Sequence, residues 1–424
     1  MISLSILSGL LSLYWIISLF NKSIILGLLF AFLQIYIYIP FAARCFDSNL
    51  VDIVSHITIT DDTILYKYLF FCYSQSFFLF LLLKKLSIIK IKHKPNFLNL
   101  NKTSKNLNIY NIIQVLIGIY LSYNLLVNYS SLNYFDQLAV KSNIIWVLLL
   151  EYSFVFLLID FWLYADNKII KPLLLGLLIF IPAFITLFKI GNRGIAMPAL
   201  LGYMYIYLRT KKIKLSIKYL KNITIASFAI LIIIGFSQFV RVNRGHDSSK
   251  HEFSLDMIGD FFDLSVILFQ DYTVPGNSLM YSIQKNIIDP SFVIESNIGN
   301  GIFFLDYPTI ALDISKRINT GEVFGVGGFF PIEGFYLCGY LGIFVMPIVV
   351  MLFYYLYFKY LMTGKDKQYD LFIGFLICAF ISFNLARGQS YLLFKSIYMY
   401  IIPCCFLYRL AFGNKGNNYV LRES

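Results

Sequence analysis

The chain has 424 residues, of which 58% are hydrophobic and only 14% charged, and a net charge of +12, with a mean hydropathy of +0.72. Soluble domains carry about 25% charged residues, so this chain has too little polar surface to face water as a soluble fold. Its lysines lie between apolar runs and on no soluble domain, which sets nucleic acid aside as a partner.

A membrane-spanning helix needs about 20 mainly apolar residues. The first such run is Ser3–Phe20. No charge falls between Met1 and Phe20, so the basic region of a cleavable signal is missing, and a second run, Ile24–Ala42, follows at once. Ile64–Leu83 and Ile109–Val127 are the third and fourth. The fifth, Asn143–Tyr164, carries Glu151 and Asp160. Acids inside a bilayer are costly and are usually paired or functional. Lys189, near the end of the sixth run Pro172–Ile190, is a candidate partner for Glu151. A short seventh run, Ile195–Leu208, and an eighth, Asn222–Val240, precede a long polar insertion. Gly334–Phe358, Asp370–Ala386 and Tyr391–Tyr408 complete the series. The expected fold is all-α: one membrane domain over residues 1–424, a polytopic bundle of about 11 transmembrane helices. Residues 241–333 are expected to form a large, partly helical loop between the eighth and ninth spans.

Lysine sets the orientation. Lys84, Lys85, Lys90, Lys92, Lys94, Lys102 and Lys105 follow the third span, Lys211, Lys212, Lys214, Lys218 and Lys221 the seventh, and Lys359, Lys365 and Lys367 the ninth. With eleven spans these loops share one side with Lys22, Lys168, Lys171 and Lys415, and that side is cytoplasmic. The N-terminus then lies outside and the C-terminus inside. Of six cysteines, five lie in or beside apolar runs and Cys45 in a loop; their spacing fits neither a metal site nor a disulfide framework.

Arginine departs from this bias. Only Arg209, Arg409 and Arg422 fall inside, whereas Arg44, Arg193, Arg241, Arg244, Arg317 and Arg387 fall outside. Three are followed by glycine, at Arg193-Gly194, Arg244-Gly245 and Arg387-Gly388, each at the outward end of a span. Glycine lets a ligand approach the backbone, a helix N-terminus offers free N–H groups and a positive dipole end, and guanidinium is a bidentate fork for phosphate. Arg193, Arg241, Arg244 and Arg387 are therefore candidate ligands of a phosphate or pyrophosphate. The alternative is that glycine closes turns and arginine reaches lipid headgroups.

The insertion after Arg244 opens with His246, Asp247, His251 and Glu252. His246 and Asp247 are candidate general bases; no metal-ligand pattern is present. Phe253–Gln270 reads as an amphipathic helix with Asp256, Asp260 and Asp263 on its polar side, and Ile302–Ile318 as a second, broken or kinked at Pro308. Tyr272, Tyr281, Tyr307, Phe329 and Phe330 either stack on sugar rings or pack the core. Glu333, at the outer boundary of the ninth span, is either an interface acid or a third candidate base.

In layout the chain resembles the Wzy-type O-antigen polymerases. The resemblance rests on Gly191-Asn192-Arg193-Gly194, on Arg241-Val242-Asn243-Arg244-Gly245, on Glu333-Gly334 after the glycine-rich stretch Gly325–Gly328, and on Arg387-Gly388 before the last span. The family's arginine-ten residues-glycine spacing occurs here only from Arg317 to Gly328. The resemblance implies an inner-membrane glycosyltransferase acting at the periplasmic face on undecaprenyl-pyrophosphate-linked oligosaccharides, with no cofactor and no metal. Its implied partners are membrane lipid and a chain-length regulator protein. There are two alternatives: an O-antigen ligase transferring glycan to lipid A-core, which shares this layout, and a polysaccharide flippase or transporter. The long insertion and the lack of paired broken helices weigh against transport.

Overall fold

A computed structural model of the chain describes residues 2–46, 48, 57–61, 63–86, 107–129, 144–163, 181, 193–211, 261–303, 307–318, 329–362, 367–387 and 389–412. Among these residues all regular structure is helical, with no strand. The helices are α1 (Ile2–Phe20), α2 (Ile24–Phe46), α3 (Thr63–Leu86), α4 (Leu107–Asn124, continued by a π turn), α5 (Ile144–Leu163) and α6 (Arg193–Lys211). There follow α7 (Phe261–Gln284), α8 (Pro290–Gly301), α9 (Ile310–Ile318), α10 (Phe330–Cys338) and α11 (Gly342–Tyr360). The last are α12 (Lys367–Leu376), α13 (Phe383–Arg387), α14 (Tyr391–Ser396) and α15 (Ile402–Phe412). Among the described residues, seven helical stretches are long and apolar enough to cross a membrane, among them Ile2–Phe20, Thr63–Leu86 and Tyr391–Phe412. The expected fifth and seventh spans are the helices α5 and α6, which are not among these seven, and the expected sixth and eighth, Pro172–Ile190 apart from Ile181 and Asn222–Val240, lie outside the described residues, so the expectation of eleven is matched only in class.

The side-chain pattern of α1 is that of a bilayer helix. Ser5, Ser8, Ser12, Trp15 and Leu19 form its buried stripe, while Ile6, Leu7, Leu10 and Tyr14 are all more than half exposed. In lipid, small and polar residues glue helices together, because apolar surface gains nothing by turning inward. The Ser12 hydroxyl donates to Gln34 Oε1 at 2.8 Å, and Gln34 Nε2 donates to Ser76 Oγ at 2.9 Å, tying α1 to α2 and α3.

The chain divides into two compact units. The first, Met1–Lys94, Leu201–Ala229 and Asp260–Ser396, contains α1–α3, most of α6, and α7–α14. Here α7 lies against α2, where Gly276 meets the ring of Pro40 so closely that a Cβ would overlap it. One residue on, Asn277 Oδ1 accepts from Arg44 Nε at 3.0 Å. This packing explains a difference from the sequence reading. Of the amphipathic helix expected over Phe253–Gln270, residues 253–260 lie outside the described residues; the part from Phe261 runs on to Gln284, through Pro275, because its later part is buried between helices rather than released as a turn. Tyr68 of α3 bonds the carbonyl of Ile37 at 2.9 Å, next to the turn that Pro40 disturbs. On α6 and α12, Gly202 receives Phe375 and Gly374 receives Tyr205, a reciprocal pair of holes and knobs.

The expected single span Gly334–Phe358 is broken. Gly339 has a positive φ of 57° and ends α10, and Gly339–Leu341 form one 3-10 turn before α11. In a straight helix residues 334 and 342 would stand about 12 Å apart. Instead, a Cβ on Gly342 would collide with the Gly334 carbonyl, so the chain folds back there. Gln75 Nε2 steadies the crossing with a 2.9 Å bond to the Gly342 carbonyl.

The second unit, Pro95–Leu200, Ile230–Gly259 and Ile397–Ser424, contains α4, α5 and α15 packed on one another. Its buried acid is satisfied: Asp160 accepts from Tyr110 Oη at 2.9 Å and from Gln114 Nε2. Glu151 is bonded by Tyr400; its expected partner Lys189 lies outside the described residues.

Replacing a mid-helix glycine by alanine ordinarily stabilises by about 1 kcal/mol. Gly342→Ala should do the reverse, costing about 2 kcal/mol through overpacking against Gly334. Thermal melting of the purified protein in detergent reads this directly. A melting temperature equal to or above the parent's would mean that α10 does not fold back on α11.

Candidate functional site

The site is assembled from three helix ends. Helix α8 begins at Pro290, a residue suited to a first helical turn. Asp289 caps it: its carboxylate accepts from Phe292 N at 3.0 Å and from Ser291 Oγ at 2.8 Å. The backbone N–H of Asp289 donates to the Tyr336 carbonyl at 2.8 Å, fastening the start of α8 to α10. These two bonds hold the Asp289 carboxyl below the usual carboxylate range. Helix α8 thereby presents Asn297 toward α10. Helix α10 starts at Phe330, with Pro331 in its first turn and Glu333 directly after Ile332.

Glu333 is 1% exposed, and three donors fill its carboxylate. Asn297 Nδ2 bonds Oε1 at 2.5 Å, and the backbone N–H and hydroxyl of Ser390 bond Oε2 at 2.7 and 2.8 Å. Asn297 completes the arrangement by accepting from Tyr391 N at 2.8 Å. The first N–H groups of a helix have no partner within it. Here Ser390 and Tyr391, at the N-terminus of the helix Tyr391–Phe412, are capped by side chains from two other helices. A carboxylate at the positive end of a helix dipole is favourable, and three hydrogen bonds compensate its removal from water.

The last arginine-glycine pair lies just before this cap in the chain. Arg387 is the final residue of α13, three positions before Ser390. Glu333 and Arg387 are thus brought to the same turn, although the Arg387 side chain and Gly388 are outside the description. Arg193 opens α6, as expected of a residue at a helix start; its side chain is likewise not described. Arg241, Arg244, His246 and Asp247 lie outside the described residues. Two other arginines of the set expected outside are engaged within the protein: Arg44 with Asn277, and Arg317 with Asp313 at 2.7 Å, a pair that holds the guanidinium more firmly charged. Arg317, the arginine of the single ten-residue spacing, therefore belongs to an i,i+4 pair on α9. Among the described residues no three His, Cys, Asp or Glu side chains gather in a way that could hold a metal ion.

Sequence reasoning missed Asn297 and Ser390. Ser390 carries a readable signal, a serine at the N-cap position of an apolar run. Asn297 carries none, since its partners lie 36 and 94 residues away. As bonded here, Glu333 joins α8, α10 and the start of α14, with a donor facing each of its oxygens.

No protein family, no curated protein and no solved structure matches this chain.

Glu333→Gln turns one acceptor oxygen into a donor that must face donors, so it should lower stability by about 2 kcal/mol, with Ser390→Ala costing about 1 kcal/mol. Thermal melts of the two variants against the parent check both the values and their order. Asp289 gives a pH dependence. Its folded pKa is depressed, so its stabilisation is complete above the unfolded carboxylate range and disappears as pH falls through the lowered folded value. Asp289→Asn should therefore melt below the parent at neutral pH, and the two curves should converge in acid.

Proposed function

We propose that this chain is a membrane glycosyltransferase of the O-antigen polymerase type. It would join undecaprenyl-pyrophosphate-linked oligosaccharide units at the periplasmic face of a bacterial inner membrane. The observation that carries this reading is that Arg387 ends its helix three residues before Ser390, whose N–H and hydroxyl are held by the buried Glu333 carboxylate. Groups that stabilise a developing charge work best when they are held in place before the reaction.

In the reaction, a hydroxyl oxygen at the non-reducing end of the incoming unit attacks the anomeric carbon of the growing chain. The bond from that carbon to the lipid pyrophosphate breaks, and the electron pair leaves with the pyrophosphate. Arg193, Arg241, Arg244 and Arg387 are assigned to the pyrophosphate, where guanidinium forks match its oxygens. His246 and Asp247 are assigned to the proton of the attacking hydroxyl. Glu333 keeps the Arg387 turn in position through Ser390 and Asn297. No cofactor is required, because the donor carries its own leaving group.

The test is lipopolysaccharide banding in a strain lacking this gene. The deletion should leave a core bearing a single repeat unit, and the intact gene should restore the ladder. Arg387→Ala should fail to restore it, and Arg387→Lys should restore well under a tenth, because the fork geometry is lost. A deletion strain whose ladder is unchanged excludes the polymerase, and a core carrying no glycan at all points instead to the ligase.

A further inference from the structure

Five aromatic residues of the long insertion were candidates for stacking on sugars, and the fold separates them. Phe329 is 0% and Phe330 2% exposed, so both belong to the core. Tyr281 is half-buried on α7, and the Tyr272 side chain is outside the description. Tyr307 differs from all of these. It lies in the segment between α8 and α9 and is 40% exposed, yet its backbone is held on both sides by one side chain. Asn300 Nδ2 donates to the Tyr307 carbonyl at 3.0 Å, and Tyr307 N donates to Asn300 Oδ1 at 2.9 Å. A side-chain amide thus does for Tyr307 what a neighbouring strand would do.

The ring is placed as firmly as the backbone. It rests on Gly299 of α8, where a Cβ would fall 2.8 Å from Tyr307 Cε2. Only glycine leaves room for the ring to lie against the helix at that point. The same few residues of α8 reach the candidate site: Asn297 bonds Glu333 and Tyr391, and Gly301 touches the Tyr391 backbone. An exposed aromatic is therefore fixed within one helical turn of the residues that cap the Arg387 turn. A ring with one side on a glycine, in a residue that is 40% exposed, offers an apolar surface of fixed orientation. Tyrosine supplies such a surface with little side-chain entropy to lose.

We propose that Tyr307 is a stacking platform for a pyranose ring of the incoming oligosaccharide, with Asn300 and Gly299 as the residues that position it. The inference rests on the glycosyltransferase reading above and adds to it a place for the acceptor sugar. The C–H face of a pyranose is apolar and matches an aromatic face, while its hydroxyls stay in water.

The probe is the free oligosaccharide repeat unit, cleaved from its lipid carrier, titrated into purified protein in detergent. Tyr307→Ala should weaken its binding about tenfold, the scale of one aromatic contact, with a melting temperature equal to the parent's because the ring is exposed. Tyr307→Phe should recover the affinity to within about twofold, since stacking needs the ring and not the hydroxyl. Gly299→Ala should weaken binding as Tyr307→Ala does, by lifting the ring. In reconstituted polymerisation, Tyr307→Ala should raise the KM for the lipid-linked unit about tenfold and leave kcat within about twofold. Equal binding of the oligosaccharide by parent and Tyr307→Ala, with polymerisation intact, overturns the platform and leaves the function standing. A parent protein that neither binds the oligosaccharide nor polymerises the lipid-linked unit overturns the glycosyltransferase reading itself.

Discussion

The Glu333 carboxylate, buried and shared between Asn297 and Ser390, is the constraint on which the described site depends. A charge withdrawn from water must be compensated in full or the fold loses several kcal/mol. That requirement fixes three helix ends together at one point: α8 through Asn297, α10 through Glu333, and the start of α14 through Ser390 and Tyr391. The turn at Arg387 and the loop residue Tyr307 inherit their positions from this point. One is joined to it through Ser390, the other through Asn300 and Gly299 on the same helix as Asn297.

In the rest of the first unit, close approach between helices adds to a buried apolar core. Gly276 on Pro40, Gly334 on Gly342, Gly202 on Phe375 and Gly374 on Tyr205 are all places where a missing Cβ lets backbone or ring come near. Hydrogen bonds among Ser12, Gln34 and Ser76 tie further helices together. This is the economy of a bilayer, in which outward-facing isoleucine and leucine are already in their preferred solvent and specificity comes from small residues and polar pairs.

What could be read from the chain divides along the same physical line. Apolar runs and their ends were legible, because hydropathy and helix length are local properties. Ile24–Ala42 lies inside the observed Ile24–Phe46, and the expected break at Pro308 falls just before α9 begins at Ile310. Glu333 and Arg387-Gly388 stood out as polar groups at span ends. Asn297 did not, because its significance comes from partners distant in sequence. The turn between α10 and α11 was hidden for another reason. Gly339-Tyr340-Leu341-Gly342 is apolar enough to continue a span, and only the packing of Gly342 on Gly334 shows that it does not. The run of α7 past Gln270 was hidden because Pro275 and Gly276 look like a terminator until Gly276 is seen to pack on Pro40.

The cap at Glu333 also bears on biosynthesis. Glu333 leaves the ribosome 57 residues ahead of Ser390, the source of two of its three hydrogen bonds. Until the last helix is in place, Oε2 of that acid has neither of these donors, and the arrival of Ser390 supplies both. Insertion of the final helix is therefore the event that completes the site, so a chain interrupted before it carries Glu333 and Arg387 without the geometry that joins them.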